Sequence, residues 1–368
     1  EIRMEDLTGI TTDGRWYHIA VANNGDLWVD GISAGNINVS GSGINNTSIG
    51  ARYNANTKTT SNHFSGWIEE VRIWNKTLTE KQIRFMMNQR LKLDGTGTVI
   101  SPLQGEVVPN LVIADGGLSS YYTNGTYNLD QDGTPFYNLT TNDLAGYYRL
   151  ISDNPDPDGL ITFDAVLMPA AGYTPDHSTN KVPGRLYNIT TNQENTSPTP
   201  YFSYVDGNWT DITTWARPDV WDFPNSTGIN STPIEWNIAR INHNIQSGSK
   251  DITMLGLLSE TAGMELSINT SNFIRISHYL LLHGNMDLEG ESQLLQDHGS
   301  ILDNTSSGWA EIDQQGRMSS FNYNYWTSPV SNQGSDNNFG FMLNQVMMDG
   351  TNPDSPQAIN FQNGYFVA

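Results

Sequence analysis

Short stretches of aromatic and β-branched residues alternate with polar turns along most of the chain. Near the N-terminus, the apolar stretch 16–21 precedes the turn residues 23–26 (Asn-Asn-Gly-Asp) and a second apolar stretch at 27–29. Because Asn and Gly tolerate the positive φ that tight hairpin turns need, this order predicts a β-hairpin. Two more strands are predicted at 48–50 and 64–74, the second with alternate residues on opposite faces of a sheet.

One helix is predicted directly after these strands. Thr77 and Glu80 have the spacing of a capping box, in which the Thr oxygen accepts an early backbone N–H and the Glu reaches back. Ile83, Met86 and Leu91 then follow at helical spacing. The rest of the chain favours strands, so the sequence predicts an all-β fold.

The remaining chain divides into predicted domains that differ in the spacing of their apolar stretches. Residues 93–200 are rich in Gly, Pro and turns and predict a β-rich connecting domain, with strands at 110–114, 145–151, 160–167 and 185–190. From residue 201, short apolar stretches recur with two to five turn residues between them. This pattern predicts a short β-solenoid-like domain, in which each rung buries its apolar side chains by stacking on the next, and a meandering sandwich is the alternative fold. The predicted solenoid strands are 252–258, 264–268, 273–276, 279–282, 286–288, 293–295 and 300–302. The predicted domains are therefore 1–92, 93–200, 201–316 and 317–368, the last being the beginning of a further β-domain.

Composition narrows the classes of function. The chain has 18 basic and 39 acidic residues among 368, a net charge of −21, which disfavours binding to nucleic acid or anionic lipid. It has no cysteine, so it forms neither disulfides nor thiolate metal sites. No run of about eighteen apolar residues occurs, and no membrane insertion is predicted. The chain starts at Glu1 without a signal-peptide pattern and ends in an apolar run, so we expect it to be part of a longer polypeptide.

The first ninety residues carry an ordered series of motifs. In chain order these are W-x-H-x-A from Trp16, L-x-V-x-G from Leu27, I-G at Ile49, F-x-G-x-I-x-x-V-R-I-W-N from Phe64 and L-T-x-x-x-I from Leu78. In this order they resemble the C-terminal half of a laminin-G-like, concanavalin A-like lectin sandwich, a partial jelly roll. The resemblance implies that residues before Glu1 supply the first half of the sandwich. It also implies binding of sugars, proteins or calcium through rim loops.

Two residues of this segment invite a functional interpretation. His18 lies in a predicted central strand between aromatic and apolar neighbours, and we interpret it as structural rather than catalytic. Asp30 is a candidate calcium ligand at the rim of the sandwich, although an Asp-Gly hairpin turn explains it equally well.

Two acidic loops share the pattern N-x-D-x-D-G. Alternate oxygen-bearing residues with a glycine at the sixth place match the first half of an EF-hand-type calcium loop. The bidentate Glu of the twelfth place is missing, since Leu139 and Ala165 stand there, so solvated acidic turns are the alternative. The candidate ligands are Asn128, Asp130 and Asp132 in the first loop and Asn154, Asp156 and Asp158 in the second.

A second resemblance covers roughly residues 185–340. It is carried by G-N-W at 207–209, L-H-G-N-M-D-L at 282–288, G-E-S-Q-L at 290–294 and Y-N-Y-W-T-S-P-V at 323–330. Together these look like a block found in very large surface proteins of gliding bacteria, which are exported by the type IX secretion system and act as adhesins. The resemblance implies secretion to the outer face of the outer membrane, with the secretion translocon and an outer-membrane shuttle protein as transient partners. Tyr323, Tyr325 and Trp326 are candidates for stacking on sugar rings, with core packing as the alternative.

The sequence contains no complete set of catalytic residues, so we expect that the chain is not an enzyme. Glu311 and Asp313 resemble part of the E-x-D-x-E strand of retaining glucanases, but Gln315 stands where the third carboxylate is needed. We interpret the pair as one polar face of a strand. Metalloprotease, serine-hydrolase and Walker motifs are absent from the sequence, and no organic cofactor is indicated.

These patterns favour a non-catalytic segment of a large secreted adhesin that binds glycans or other surface polymers during adhesion or gliding. The alternatives are an accessory carbohydrate-binding region of a polysaccharide-degrading enzyme, whose catalytic domain lies outside this chain, and a spacer without a ligand.

Overall fold

The computed structural model describes residues 14–37, 48–54, 56–57, 59–108, 139–150, 173–185, 194–297, 300–314, 346–352 and 356–359. The chain forms two compact units: the N-terminal unit (1–202 with 215–238) and the C-terminal unit (203–214 with 239–368). In the part of the chain that the structure describes, the regular structure is nearly all β, with one short helix and a few 3₁₀ turns, which confirms the predicted fold class. The finer division at 92, 200 and 316 stays a prediction.

The N-terminal unit begins with a three-stranded antiparallel sheet of β1 (Ile19–Val21), β2 (Asp26–Val29) and β3 (Ile32–Asn36). The predicted hairpin turn joins β1 to β2, where the N–H of Ala22 donates to the carbonyl of Asp26. Gly25 at this turn has a φ of 92°, and a Cβ there would lie 2.1 Å from the carbonyl oxygen of Ile37. Only glycine therefore fits this turn.

Among the described residues of this unit, smaller antiparallel pairs follow. They are β4 (Arg52–Asn54) with β5 (Thr59–Ser61), β6 (Val71–Trp74) with β7 (Leu144–Tyr148), and β8 (Tyr173–Thr174) with β9 (Gly184–Arg185); β10 spans Tyr201–Phe202. Short 3₁₀ turns occupy Thr141–Asp143 and Ile229–Ser231.

Several strands differ from the sequence prediction. The predicted strand 64–74 is reduced to β6 because Glu70 has a φ of 56°, a left-handed conformation that interrupts an extended chain. The predicted strand 48–50 is a bend instead. The prediction 145–151 corresponds to β7, which ends before Leu150 and its φ of 63°. The predicted strands 110–114 and 160–167 lie outside the described residues, as does most of 185–190.

The predicted helix is present as α1 (Glu80–Met87), but its cap is not the predicted one. Thr79 rather than Thr77 is the N-cap, and Gln82 rather than Glu80 completes the capping box. The N–H of Gln82 donates to Thr79 Oγ1 over 3.3 Å, and the N–H of Thr79 donates to Gln82 Oε1 over 2.9 Å. The spacing of the motif was correct, whereas its position along the chain was two residues too early.

Ionic side chains lie in the interior beside β6 and β7. The carboxylate of Glu70 accepts hydrogen bonds from the hydroxyl of Tyr147 and from Arg72 Nη2, both over 2.8 Å. Arg90, which is 2% exposed, places its Nε 3.7 Å from the same carboxylate. Because an isolated buried charge is costly, this pairing ties α1 and the residues after it to β6 and β7.

The C-terminal unit contains two stacked series of strands, which form a β-solenoid of about three turns over residues 238–312. One sheet runs in the order β12 (Ile238–Ile241), β14 (Ile252–Ser259), β16 (Phe273–Leu282) and β18 (Gln293–Gln296), with β19 (Ile301–Leu302) also paired to β16. The second, which we call sheet B, runs in the order β11 (Gly207–Asn208), β13 (Ile245–Gln246), β15 (Glu265–Ile268), β17 (Asn285–Leu288) and β20 (Ala310–Ile312), with every pair parallel. The predicted solenoid is confirmed, and the predicted strands 273–276 and 279–282 are one strand, β16. A 3₁₀ turn, Ile212–Thr214, and a separate hairpin of β21 (Met348–Asp349) and β22 (Gln357–Ala358) also belong to this unit.

The solenoid core is built from side chains that stack on their equivalents in the next turn. Leu266 pairs with Met286, which pairs with Ala310, so one turn takes 20 to 24 residues. Leu266 and Met286 are both fully buried, as are Ile252 and Ile274 in the other sheet. A single turn cannot bury such side chains alone, so the turns stabilise one another by stacking.

Candidate functional site

Two exposed aromatic side chains lie three positions apart in the sequence of the N-terminal unit. Phe64 is 44% exposed and Trp67 is 41% exposed, and the ring of Trp67 lies 6.4 Å from that of the half-buried Trp16, with the planes tilted by 35°. We call Trp16, Phe64 and Trp67 the aromatic surface. Large apolar side chains of this kind are usually buried, so a group of them at the surface marks a candidate binding site.

Thr196 holds the tryptophan side of the aromatic surface in place. Its hydroxyl accepts a hydrogen bond from Trp16 Nε1 over 3.0 Å, and its carbonyl accepts one from Trp221 Nε1 over 2.6 Å. The backbone N–H of Trp16 also donates to the carbonyl of Val220 over 3.1 Å. Because Thr196 is 1% exposed and bonded on several sides, the indole of Trp16 has a fixed orientation.

The phenylalanine side is held by close packing against glycines. The N–H of Phe64 donates to the carbonyl of Gly50 over 2.7 Å. The Phe64 ring covers Gly66, where an added Cβ would lie 2.7 Å from Cε1 of that ring. Residues 61–67 are exposed throughout, so the polar residues Asn62, His63 and Ser65, which neighbour Phe64 in the sequence, also lie at the surface.

Two titratable groups of the same segment have strongly shifted pKa values. Burial raises the pKa of Glu69 to about 7, although its carboxylate accepts N–H groups from Thr196 over 2.9 Å and Ser197 over 3.3 Å. Burial, with the nearby charge of Arg72, lowers the pKa of His18 to about 3. His18 is therefore neutral at physiological pH, which agrees with the structural role predicted for it.

Asp30, the candidate calcium ligand of this unit, serves the β2–β3 turn. Its Oδ1 accepts the N–H of His18 over 2.7 Å, and its carbonyl accepts Trp236 Nε1 over 3.0 Å. Burial raises the pKa of Asp30 to about 7. Within the part of the chain that the structure describes, no three His, Asp or Glu side chains come together to hold a metal ion.

The other predicted site residues lie outside the described residues. This holds for the sugar-stacking candidates Tyr323, Tyr325 and Trp326, and for the calcium candidates Asn128, Asp130, Asp132, Asn154, Asp156 and Asp158. Calcium binding by the two acidic loops therefore stays a prediction. Trp16 and Phe64 belong to the motifs of the lectin-like segment, but the aromatic surface was not predicted, because no local pattern shows which aromatic side chains remain exposed.

Glu311 lies on β20 and Asp313 directly follows this strand, and the structure adds a neighbour that the sequence pattern did not indicate. Glu311 on β20 pairs in register with Asp287 on β17, so a carboxylate from the preceding turn of the solenoid lies beside it. Asp287 and Glu311 are 24 residues apart in the sequence, so a local motif does not reveal that they are neighbours.

One comparison found a similarity between the N-terminal segment and known domains. Residues 6–84 match the concanavalin A-like lectin/glucanases superfamily. This match confirms the lectin-like resemblance of the first ninety residues, and it includes all three residues of the aromatic surface. No curated protein and no solved structure matched the chain. In the described residues, no helix is both long and apolar enough to cross a membrane.

Proposed function

We propose that this chain is a non-catalytic, carbohydrate-binding segment of a larger secreted adhesin, and that the aromatic surface contacts the glycan. The observation that carries the proposal is the position of Trp16, Phe64 and Trp67, which are exposed or half-buried within the lectin-like segment. Flat aromatic rings offer apolar contact area to the faces of sugar rings, and the polar residues beside them offer hydrogen bonds to hydroxyl groups.

The charge of the chain supports a neutral or cationic glycan. With a net charge of −21, the protein repels polymers that carry sulfate or carboxylate groups. Arg15 beside the aromatic surface is already paired with Asp222 over 2.5 Å, so its charge is compensated within the fold.

The cellular setting belongs to the same proposal. The motifs between residues 185 and 340 support export by the type IX secretion system, with the translocon and an outer-membrane shuttle as transient partners and the outer cell surface as the destination. These motifs are the sole support for that setting. A test is whether the full-length protein disappears from the cell surface, detected by antibody labelling of intact cells, when the translocon is deleted.

The absence of catalysis is also proposed. It is supported by His18, whose pKa is too low for acid–base chemistry near neutral pH. The second candidate function, an accessory region of a polysaccharide-degrading enzyme, is favoured by the match to a superfamily that includes glucanases. The modules that flank this segment in the full-length protein distinguish the two.

The binding proposal is tested with the purified chain on a glycan array, followed by titration of the best ligand. We expect Trp67→Ala and Phe64→Ala each to weaken binding about tenfold, since each removes a large contact from the surface. Tyr204→Ala, which removes an exposed aromatic of the C-terminal unit, is the matched control and should change nothing. Unaltered binding by both variants would refute the site. Release of reducing ends from any bound glycan would refute the absence of catalysis.

A further inference from the structure

The outward side of sheet B on the C-terminal unit carries acidic side chains, of which Glu265 is exposed and Asp287 is half-buried. Side chains alternate along its strands, so that Leu266, Met286 and Leu288 point into the solenoid core while the residues between them point outward. Glu265 and Asp287 occupy such outward positions on β15 and β17. We call this surface, with Trp309 and Glu311 from the next turn, the outer face.

Trp309 is the most exposed large apolar side chain in the described part of the chain, at 65%. Its carbonyl accepts the N–H of Met286 over 2.9 Å, so its backbone is part of the sheet. Ala310 pairs with Met286, which places Trp309 opposite Asn285. The backbone of Trp309 is therefore fixed beside the last strand of sheet B, and its indole is exposed to solvent.

The charges of the outer face are all of one sign. Asp287 lies in register between Ser267 and Glu311 on the neighbouring strands. Burial raises the pKa of Asp287 to about 7, and the charges of Glu311 and Glu265 add to the effect. The pKa of Glu311 is also raised, by burial and then by Asp313. The strands β15, β17 and β20 contain no Lys or Arg, so this negative potential is not compensated within them.

Asp287 and Glu311 lie side by side on adjacent parallel strands, about 4.8 Å apart along the solenoid axis. Glu265 lies in the neighbouring row, in register with Asn285. Carboxylates spread over three strands in this way complement a chain-like ligand with several positive charges better than a single small ion. An exposed indole adds a flat apolar ring, which attracts cations through its π face and offers contact area to a sugar ring.

We propose that the outer face binds a linear polymer of amino sugars, whose free ammonium groups pair with Glu265, Asp287 and Glu311 and one of whose rings stacks on Trp309. This surface belongs to the C-terminal unit and does not depend on the aromatic surface of the N-terminal unit. Evidence against one of the two binding sites therefore does not count against the other.

The test is calorimetric titration of the full chain with a glucosamine hexasaccharide that carries free amino groups. We expect Trp309→Ala and Glu311→Gln each to weaken binding about tenfold. Added salt should weaken binding further, because exposed ion pairs are screened. Tyr204→Ala and Asp211→Asn, which change an exposed aromatic and an exposed carboxylate outside the outer face, are matched controls that should bind like the unaltered chain.

Two comparison ligands make the result decisive. The fully N-acetylated hexasaccharide lacks the positive charges and should bind at least about tenfold more weakly. Equal binding of the acetylated and free forms would overturn the proposal. The proposal would also be overturned if oligolysine bound as tightly as the free hexasaccharide and Trp309→Ala weakened neither interaction. The outer face would then recognise positive charge alone and not a sugar ring. Trp67→Ala should leave this titration unchanged, which separates the outcome from that of the N-terminal site.

Discussion

Asp30→Asn should stabilise the N-terminal unit at alkaline pH and leave it unchanged in acid. The Asp30 side chain is largely buried beside β1, and burial raises its pKa from 3.8 to about 7. Each pKa unit corresponds to about 1.4 kcal/mol, so ionising this carboxyl in the folded chain costs up to about 4 kcal/mol. Local relaxation and entry of water reduce this cost, and we expect a measured effect of about 2 kcal/mol.

The sign follows from the direction of the pKa shift. A carboxyl whose pKa is raised by folding binds its proton more tightly in the folded chain than in the unfolded chain. Its contribution to stability is therefore fully present below about pH 4 and is lost as the pH rises through about 7. Asparagine has no such proton, and its Oδ1 can still accept the N–H of His18. It also tolerates the φ of 50° at this position.

The assay is urea unfolding of the full chain, followed by tryptophan fluorescence across this pH range. The difference in free energy of unfolding between the variant and the unaltered chain should grow from near zero at about pH 4 to about 2 kcal/mol at about pH 8. Glu69, whose pKa is also raised to about 7, affects both proteins equally and cancels in this difference.

Asp94→Asn is the matched control in the same unit. The exposed carboxylate of Asp94 accepts hydrogen bonds from the hydroxyl and N–H of Thr96 and from the N–H of Thr98, which lower its pKa. The effect should thus have the opposite sign, with the variant losing stability at neutral pH relative to acid. An Asp30→Asn variant that is less stable at pH 8, or whose effect does not change with pH, would refute the reasoning.

Three further predictions concern stability and are measured by urea unfolding with circular dichroism. Thr79→Ala should lower the free energy of unfolding by about 1 kcal/mol because it removes the N-cap of α1. Thr77→Ala is the control and should leave the free energy of unfolding nearly unchanged. A larger loss from Thr77→Ala than from Thr79→Ala would show that Thr77 is the N-cap, as the sequence pattern predicted. Gly308→Ala should destabilise the C-terminal unit by more than about 3 kcal/mol, since the new Cβ would lie 1.7 Å from a backbone oxygen of the preceding turn. Gly350→Ala, with open space around it, is the control, and equal effects of the two would contradict the packing. Met286→Ala should cost about 2–5 kcal/mol through the cavity left in the solenoid core, and a loss below about 1 kcal/mol would show that the turns do not pack as described.

The sequence alone predicted the features that depend on neighbouring residues. The hairpin turn at 23–26, the existence of α1, the all-β class and the stacked short strands of the solenoid all appear in the structure. Each follows from local causes: the positive φ of turn residues, the spacing of apolar positions, and strands too short to bury their side chains without a neighbour. The motif order of the first ninety residues likewise indicated the lectin-like segment.

The tertiary structure decided which of these residues meet and which remain exposed. Thr196 orients Trp16 from 180 residues away, and Asp287 reaches Glu311 from the preceding turn of the solenoid. The left-handed conformation of Glu70, which shortened a predicted strand, accompanies its hydrogen bonds to Tyr147 and Arg72 in the interior. Such pairings depend on packing between distant segments, and the pattern of neighbouring residues carries no information about that packing.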